Sequence, residues 1–191
     1  MGYCRRVHLL LLLMIWWPAW GAESGKFEVR SAFTTLDKGV YLLRARLELS
    51  LSDTVRQAVD NGVPLTLVLD IYVERQRRYL PWNEFIAELA QRYRLAFDSL
   101  TRLYRVINLN TDVQEVYPDL DAAMRALAEI NDLPMLDRQI LKNRARYKAS
   151  IRIRLDIEEL PAPLRVVAYV SPEWHLISPW YTWPLFLNSP W

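Results

Sequence analysis

The sequence predicts an α+β domain that is mainly β: a twisted or curved antiparallel sheet of at least five strands, two or three short helices, and a Pro/Trp-rich C-terminal tail. Three observations lead there. Apolar and polar residues alternate on both sides of Asp37-Lys38-Gly39, the pattern of a β-hairpin. From Arg144 to Glu158 every odd position is apolar or aromatic and every even position is polar, which gives a strand one dry and one wet face. Helical stripes are short and form no strand–helix–strand series, so a parallel α/β sheet is excluded.

The elements follow in order. Phe27, Val29 and Phe33 alternate with Glu28 and Arg30; Tyr41, Leu43, Ala45, Leu47 and Leu49 alternate with Arg44, Arg46 and Glu48. Ser52 can cap a short helix that aligns Val55 with Val59 and stops at Gly62. Leu65, Leu67, Leu69, Ile71 and Val73 then form one face of a strand, with Thr66, Asp70, Tyr72 and Glu74 on the other. After Pro81, Trp82, Phe85, Ile86 and Leu89 have helical spacing, and the pattern turns to a strand near Gln91, through Tyr93, Leu95 and Phe97. Asp98-Ser99 reads as a turn and Arg102 to Asn108 as the returning strand. Asp119 caps a helix carrying Leu120, Ala123, Met124, Leu127 and Ile130 on one face; Asn131-Asp132 and Pro134 end it. Beyond Leu160 lie six of the eleven prolines, so residues 161–191 are expected to be an extended aromatic tail over the sheet with one or two edge strands.

Residues 1–22 have the layout of a secretory signal peptide: Arg5-Arg6, the apolar run Leu9 to Trp17, Pro18, then Ala19, Gly21 and Ala22. Cleavage fits after Gly21 or after Ala22. The apolar run is shorter than the ~20 residues of a spanning helix. Residues 23–191 are therefore expected to be one periplasmic domain, the alternative being anchorage in the inner membrane by an uncleaved signal. Cleavage removes Cys4, His8 and three of the eight tryptophans. It also takes the 24 basic residues to 22, equal to the 22 acidic ones. The formal charge of +2 thus belongs to the precursor, and no basic field remains to hold nucleic acid.

The inventory excludes several chemistries. After the expected cleavage one histidine, His175, and no cysteine would remain, which cannot form a zinc shell. Neither a Gly-x-Ser-x-Gly elbow nor a glycine-rich phosphate loop occurs, which argues against nucleotide binding and serine hydrolysis. No metal and no cofactor is expected. Asn108, Asn110 and Asp112 have the spacing that opens a calcium loop, but Val113 stands where that loop needs glycine, and a polar turn is the simpler reading. Glu173 and His175 could form an acid–base pair, and Asp156 with Glu158 or Glu173 could serve as paired carboxylates. Asp156 and Glu158, however, continue the wet face that carries Arg152 and Arg154, where cross-strand ion pairs explain them. Arginine outnumbers lysine twenty to four, which fits either oxyanion recognition or base composition, and the balancing acids favour the latter. The candidate partner- or membrane-binding residues are Trp174, Trp180, Tyr181, Trp183 and Trp191, because Trp and Tyr concentrate at binding hot spots and membrane interfaces. Of these, Trp174 and Trp183 can instead close the core, whereas Trp180 and Trp191 are expected at the surface.

Several motifs resemble one family. Leu155-Asp156, Leu160-Pro161-x-Pro163-Leu164-Arg165, Glu173-Trp174-x-Leu176-x-Ser178 and Trp183-x-Leu185 are similar to the pattern of domain of unknown function 4390. Tyr93-Arg94-Leu95 and Tyr104-Arg105-Val106 resemble its middle portion, and Pro190-Trp191 depart from it. The resemblance implies a proteobacterial exported protein of unassigned activity, with a gene context near an envelope sensor kinase, and it carries over no catalytic residue. The expected function is a non-catalytic periplasmic domain that meets an envelope protein or a membrane surface. One alternative is a carrier of an apolar or lipid ligand in the curved sheet, and another is a carboxylate-dependent hydrolase.

Overall fold

A computed structural model describes residues 25–77, 82–143 and 145–186. The expected signal segment and its cleavage points, Pro81, Arg144, Pro190 and Trp191 lie outside the described residues. Among the described residues, nine strands form two antiparallel sheets, and three α-helices accompany them.

β1 (Lys26–Asp37) and β2 (Val40–Ser50) form the expected hairpin. Lys38 (φ 46°) and Gly39 (φ 86°) both take the left-handed conformation that a two-residue hairpin turn needs. α1 (Asp53–Asp60) starts at Ser52, whose hydroxyl accepts from Val55 N, and buries Val55 and Val59. β3 (Leu65–Gln76) pairs with β4 (Glu84–Asp98) and with β8 (Arg146–Leu155). β5 (Leu103–Asn108) and β6 (Gln114–Tyr117) extend the sheet on one side, and β9 (Tyr181–Leu185) closes the other. The order is β6-β5-β4-β3-β8-β9. The smaller sheet is β1-β2-β7, where β7 is Glu129–Asp137. The mainly β antiparallel class read from the sequence is thus the architecture, divided between two sheets.

Three local readings are corrected. Of the helical stripe, Phe85, Ile86 and Leu89 lie in β4, and Trp82 stands in a bend before it. A bulge opposite Val73/Glu74 skips Ile86 in the pairing, so Phe85 faces outward while Ile86 and Leu89 pack on the core. This change of face imitates a helical period. The helix capped by Asp119 is α2 (Leu120–Leu127), and Ile130 lies in β7, which the sequence reading missed. Pro134 fits there because β7 is an edge strand. The stretch after Leu160 is not wholly extended: α3 spans Ala162–Val170. Pro161 and Pro163 stand at its start, where a missing N–H leaves no helical bond unmade. Among the described residues no helix is long and apolar enough to cross a membrane.

One core fills the space between the sheets. Its inner-face residues include Leu43 from β2, Leu67 and Leu69 from β3, Leu95 from β4, and Ile151 and Ile153 from β8. Each such side chain contributes roughly 1.5–3 kcal/mol by leaving water. β3 is also buried on its outer face, where Thr66, Val68 and Asp70 are all covered. Val68 lies opposite Arg92 on one side and Arg154 on the other, so long arginine stems can cover it while their heads stay wet.

Candidate surface on the six-stranded sheet

The two-residue period of the strands sends one set of side chains away from the core. On β3 these are Val68, Asp70 and Tyr72; on β8, Ser150, Arg152 and Arg154; on β4, Arg92 and Arg94. Register places Asp70 opposite Arg152 and Tyr72 opposite Ser150.

Asp70 is the anchor of this surface. Its carboxylate is 7% exposed and accepts from Arg152 Nε at 2.9 Å and Arg154 Nε at 3.1 Å, both on Oδ2. Charge-assisted bonds of this kind are strong and fix both guanidinium planes. Arg154 Nη1 also lies 3.6 Å from Asp156 Oδ1. Arg92 and Arg94 lie 3.6 and 3.7 Å from the Glu159 carboxylate, longer than a hydrogen bond.

Trp180 precedes β9 and lies across this network. Its ring stacks on Tyr72 at 4.8 Å between centroids, and the Arg152 guanidinium sits 4.4 Å above it. Phe85 meets Tyr72 edge-on at 5.8 Å. Burial, with the nearby Glu88 and Asp70 charges, pushes the Tyr72 phenol above its ordinary range. Ser150 Oγ and Thr182 Oγ1 share a hydrogen bond of 2.8 Å between β8 and β9 beside the stack. Trp180 remains 39% exposed and Phe85 55%, so the line Trp180–Tyr72–Phe85 presents aromatic surface to solvent at both ends.

The other candidate residues go elsewhere. Trp174 and Trp183 are buried, at 2% and 7% exposure, which removes them from the accessible surface. Trp174 lies in a short 3-10 turn (Pro172–Trp174) that packs on α1, and Trp183 faces inward from β9 with its Nε1 3.5 Å from Thr34 Oγ1. Tyr181 is half-buried and tilted against Trp183 at 6.3 Å. Tyr72, Phe85, Asp70 and Arg152 were not singled out from the sequence as partners of Trp180. Their shared parity is visible there, but the register that joins them across strands is not.

The carboxylates weighed for catalysis each serve a local contact. Asp156 caps a 3-10 turn through Glu158 N and faces Arg154, Glu158 accepts from the Tyr169 hydroxyl, and Glu173 accepts from Thr54 Oγ1 at 2.5 Å. His175 Nδ1 lies 3.0 Å from Ser171 O. Asn108 and Asn110 form a polar turn: Asn108 Oδ1 accepts from Asn110 N, and Asn110 binds both Arg92 N and Ala90 O.

A family model described as "Domain of unknown function (DUF4390)" matches residues 24–184. The chain belongs to this family. The match covers every described strand of the DUF4390 domain up to Pro184 in β9, so the Trp180 surface lies inside it. No curated protein and no solved structure matches the chain.

Proposed function

We propose that this DUF4390 chain is a non-catalytic, exported domain of the cell envelope that binds a partner protein through the outer face of its six-stranded sheet. The observation that carries the reading is the Trp180–Tyr72 stack capped by Arg152, with Arg152 held by the buried Asp70. Trp, Tyr and Arg dominate binding hot spots, and a guanidinium fixed beforehand loses less freedom on association. Export rests on Arg5-Arg6, the apolar run Leu9 to Trp17 and the small residues after it. That layout supports a periplasmic location, and the family resemblance supports a regulatory role near an envelope sensor. The non-catalytic reading is supported by the structural contacts that engage Asp156, Glu158, Glu173 and His175. The buried core packed between the sheets argues against a large lipid-carrying cavity at its centre.

The test is capture of envelope proteins by the full chain and by Trp180→Ala, with thermal unfolding followed in parallel. The expected result is a captured protein that Trp180→Ala loses while the cooperative transition persists. Equal capture by both proteins contradicts the reading, and capture of lipid in place of protein moves the partner to the membrane.

A further inference from the structure

The two sheets meet closely along one side only. There β1 packs beside β8 and β9, and Tyr41 Oη donates to Phe186 O at 3.1 Å. On the opposite side the edge strands β6 and β7 belong to different sheets and do not pair. α2 spans this gap, touching β2, β5, β6 and β7. A cavity of about 290 Å³ opens beneath it.

Its composition is selective. Val106 of β5, Leu127 of α2 and Ile130 of β7 supply apolar wall. Tyr93 and Tyr117 add two phenol rings, and Glu115 and Glu129 bring acidic groups to the lining. No arginine or lysine lines it, although arginine is abundant elsewhere on the molecule. The Tyr117 hydroxyl donates to Glu115 Oε2, and the other Glu115 oxygen has no partner among the described residues. Burial and the Glu115 contact push the Tyr117 phenol up to about 12, so it stays neutral and the ring keeps its cation-attracting face.

We propose that this cavity binds a small organic cation: a primary ammonium on a short apolar chain. The apolar wall takes the chain, the free Glu115 oxygen accepts from the ammonium, and the tyrosine rings add cation–π attraction. The two acidic groups repel a carboxylate of the same length. The volume lies near the ~300 Å³ lower bound of small-molecule sites, so the ligand is a compact amine rather than a lipid. This site lies on the inner side of the splayed edge and is independent of the Trp180 surface.

The experiment titrates n-hexylammonium, n-hexanol and hexanoate, at matched ionic strength, into the ¹⁵N-labelled full chain. Hexylammonium is expected to give saturable amide shifts at Val106, Leu127 and Ile130, with hexanol and hexanoate at least about tenfold weaker, the loss of one charge-assisted bond. Glu115→Gln is expected to weaken hexylammonium by about tenfold. Thr111→Trp, at an exposed position of the lining, is expected to block it without changing the unfolding temperature. Equal binding of hexanol, unsaturable shifts spread over surface carboxylates, or unchanged binding by Glu115→Gln overturns the proposal.

Discussion

The outer faces of the two sheets use the same residue types and differ in what lies beneath them. On the three-stranded sheet, Arg44 pairs with Asp132, and Arg30 with Glu28 and Glu48. Both members of the Arg44–Asp132 pair are about half exposed (47% and 49%), and such pairs add little to stability. On the six-stranded sheet, Arg152 and Arg154 converge on a carboxylate that is 7% exposed, with Trp180 and Tyr72 stacked beside it. The contrast shows that cross-strand ion pairs alone make a solvated surface. A buried anchor turns them into fixed donors next to an aromatic platform.

Removing the anchor should give the largest effect. Asp70→Ala leaves two guanidiniums without their shared acceptor and is expected to cost about 2–4 kcal/mol; partial exposure of both arginines keeps it below the upper end for a broken buried pair. Chemical denaturation measures it. Trp180→Ala should cost about 1 kcal/mol, the worth of one aromatic stack with a partly exposed cation. A loss as large as that of Asp70→Ala would make Trp180 a core residue and break the comparison. Asp132→Ala on the three-stranded sheet should lower the denaturation midpoint at neutral pH far less than Asp70→Ala does.

Acid titration sharpens the same contrast at its smallest scale. The hydrogen bond from Arg44 holds the Asp132 carboxyl below its usual 3.8, and the bond from Lys148 holds Glu74 below 4.5. A depressed folded pKa gives stability that is present above the unfolded value and is lost as pH falls through the folded one. The wild-type chain should therefore lose stability below about pH 4.5, and Glu74→Gln should make that slope shallower. An unchanged slope would show that the Lys148 contact does not persist in solution.

Much of this architecture is legible because the signals are local. The Asp37-Lys38-Gly39 turn, the Ser52 cap and the alternation through Ile151 and Ile153 specify the hairpin, α1 and β8 without reference to distant residues. The misreadings come where long-range pairing decides. Phe85 and Ile86 mimic a helix only because a bulge on β4 switches faces, and β7 exists because β2 offers it an edge. α3 escaped notice because Pro161 and Pro163 read as breakers, although at a helix start they are tolerated. Within the tail, Trp180 is expected at the surface and Trp183 can close the core, and the burial follows that division. Strand parity is the physical reason, sending Trp183 inward and leaving Trp180 on Tyr72. Tyr72 and Asp70 stand on the correct face in the sequence, but their meeting with Trp180 and Arg152 depends on the β3–β8 register.

Phe33 and Phe85 provide a matched pair for the central claim. Each is an outward-facing phenylalanine, 50% exposed on the three-stranded sheet and 55% exposed beside Tyr72, respectively. Replacing each in turn with p-benzoylphenylalanine and irradiating the chain in its own envelope reads directly which face meets a partner. A discrete protein adduct from position 85, lost on adding Trp180→Ala and absent from position 33, is the result expected of a binding surface on the six-stranded sheet. An adduct from position 33 with none from position 85 would contradict it.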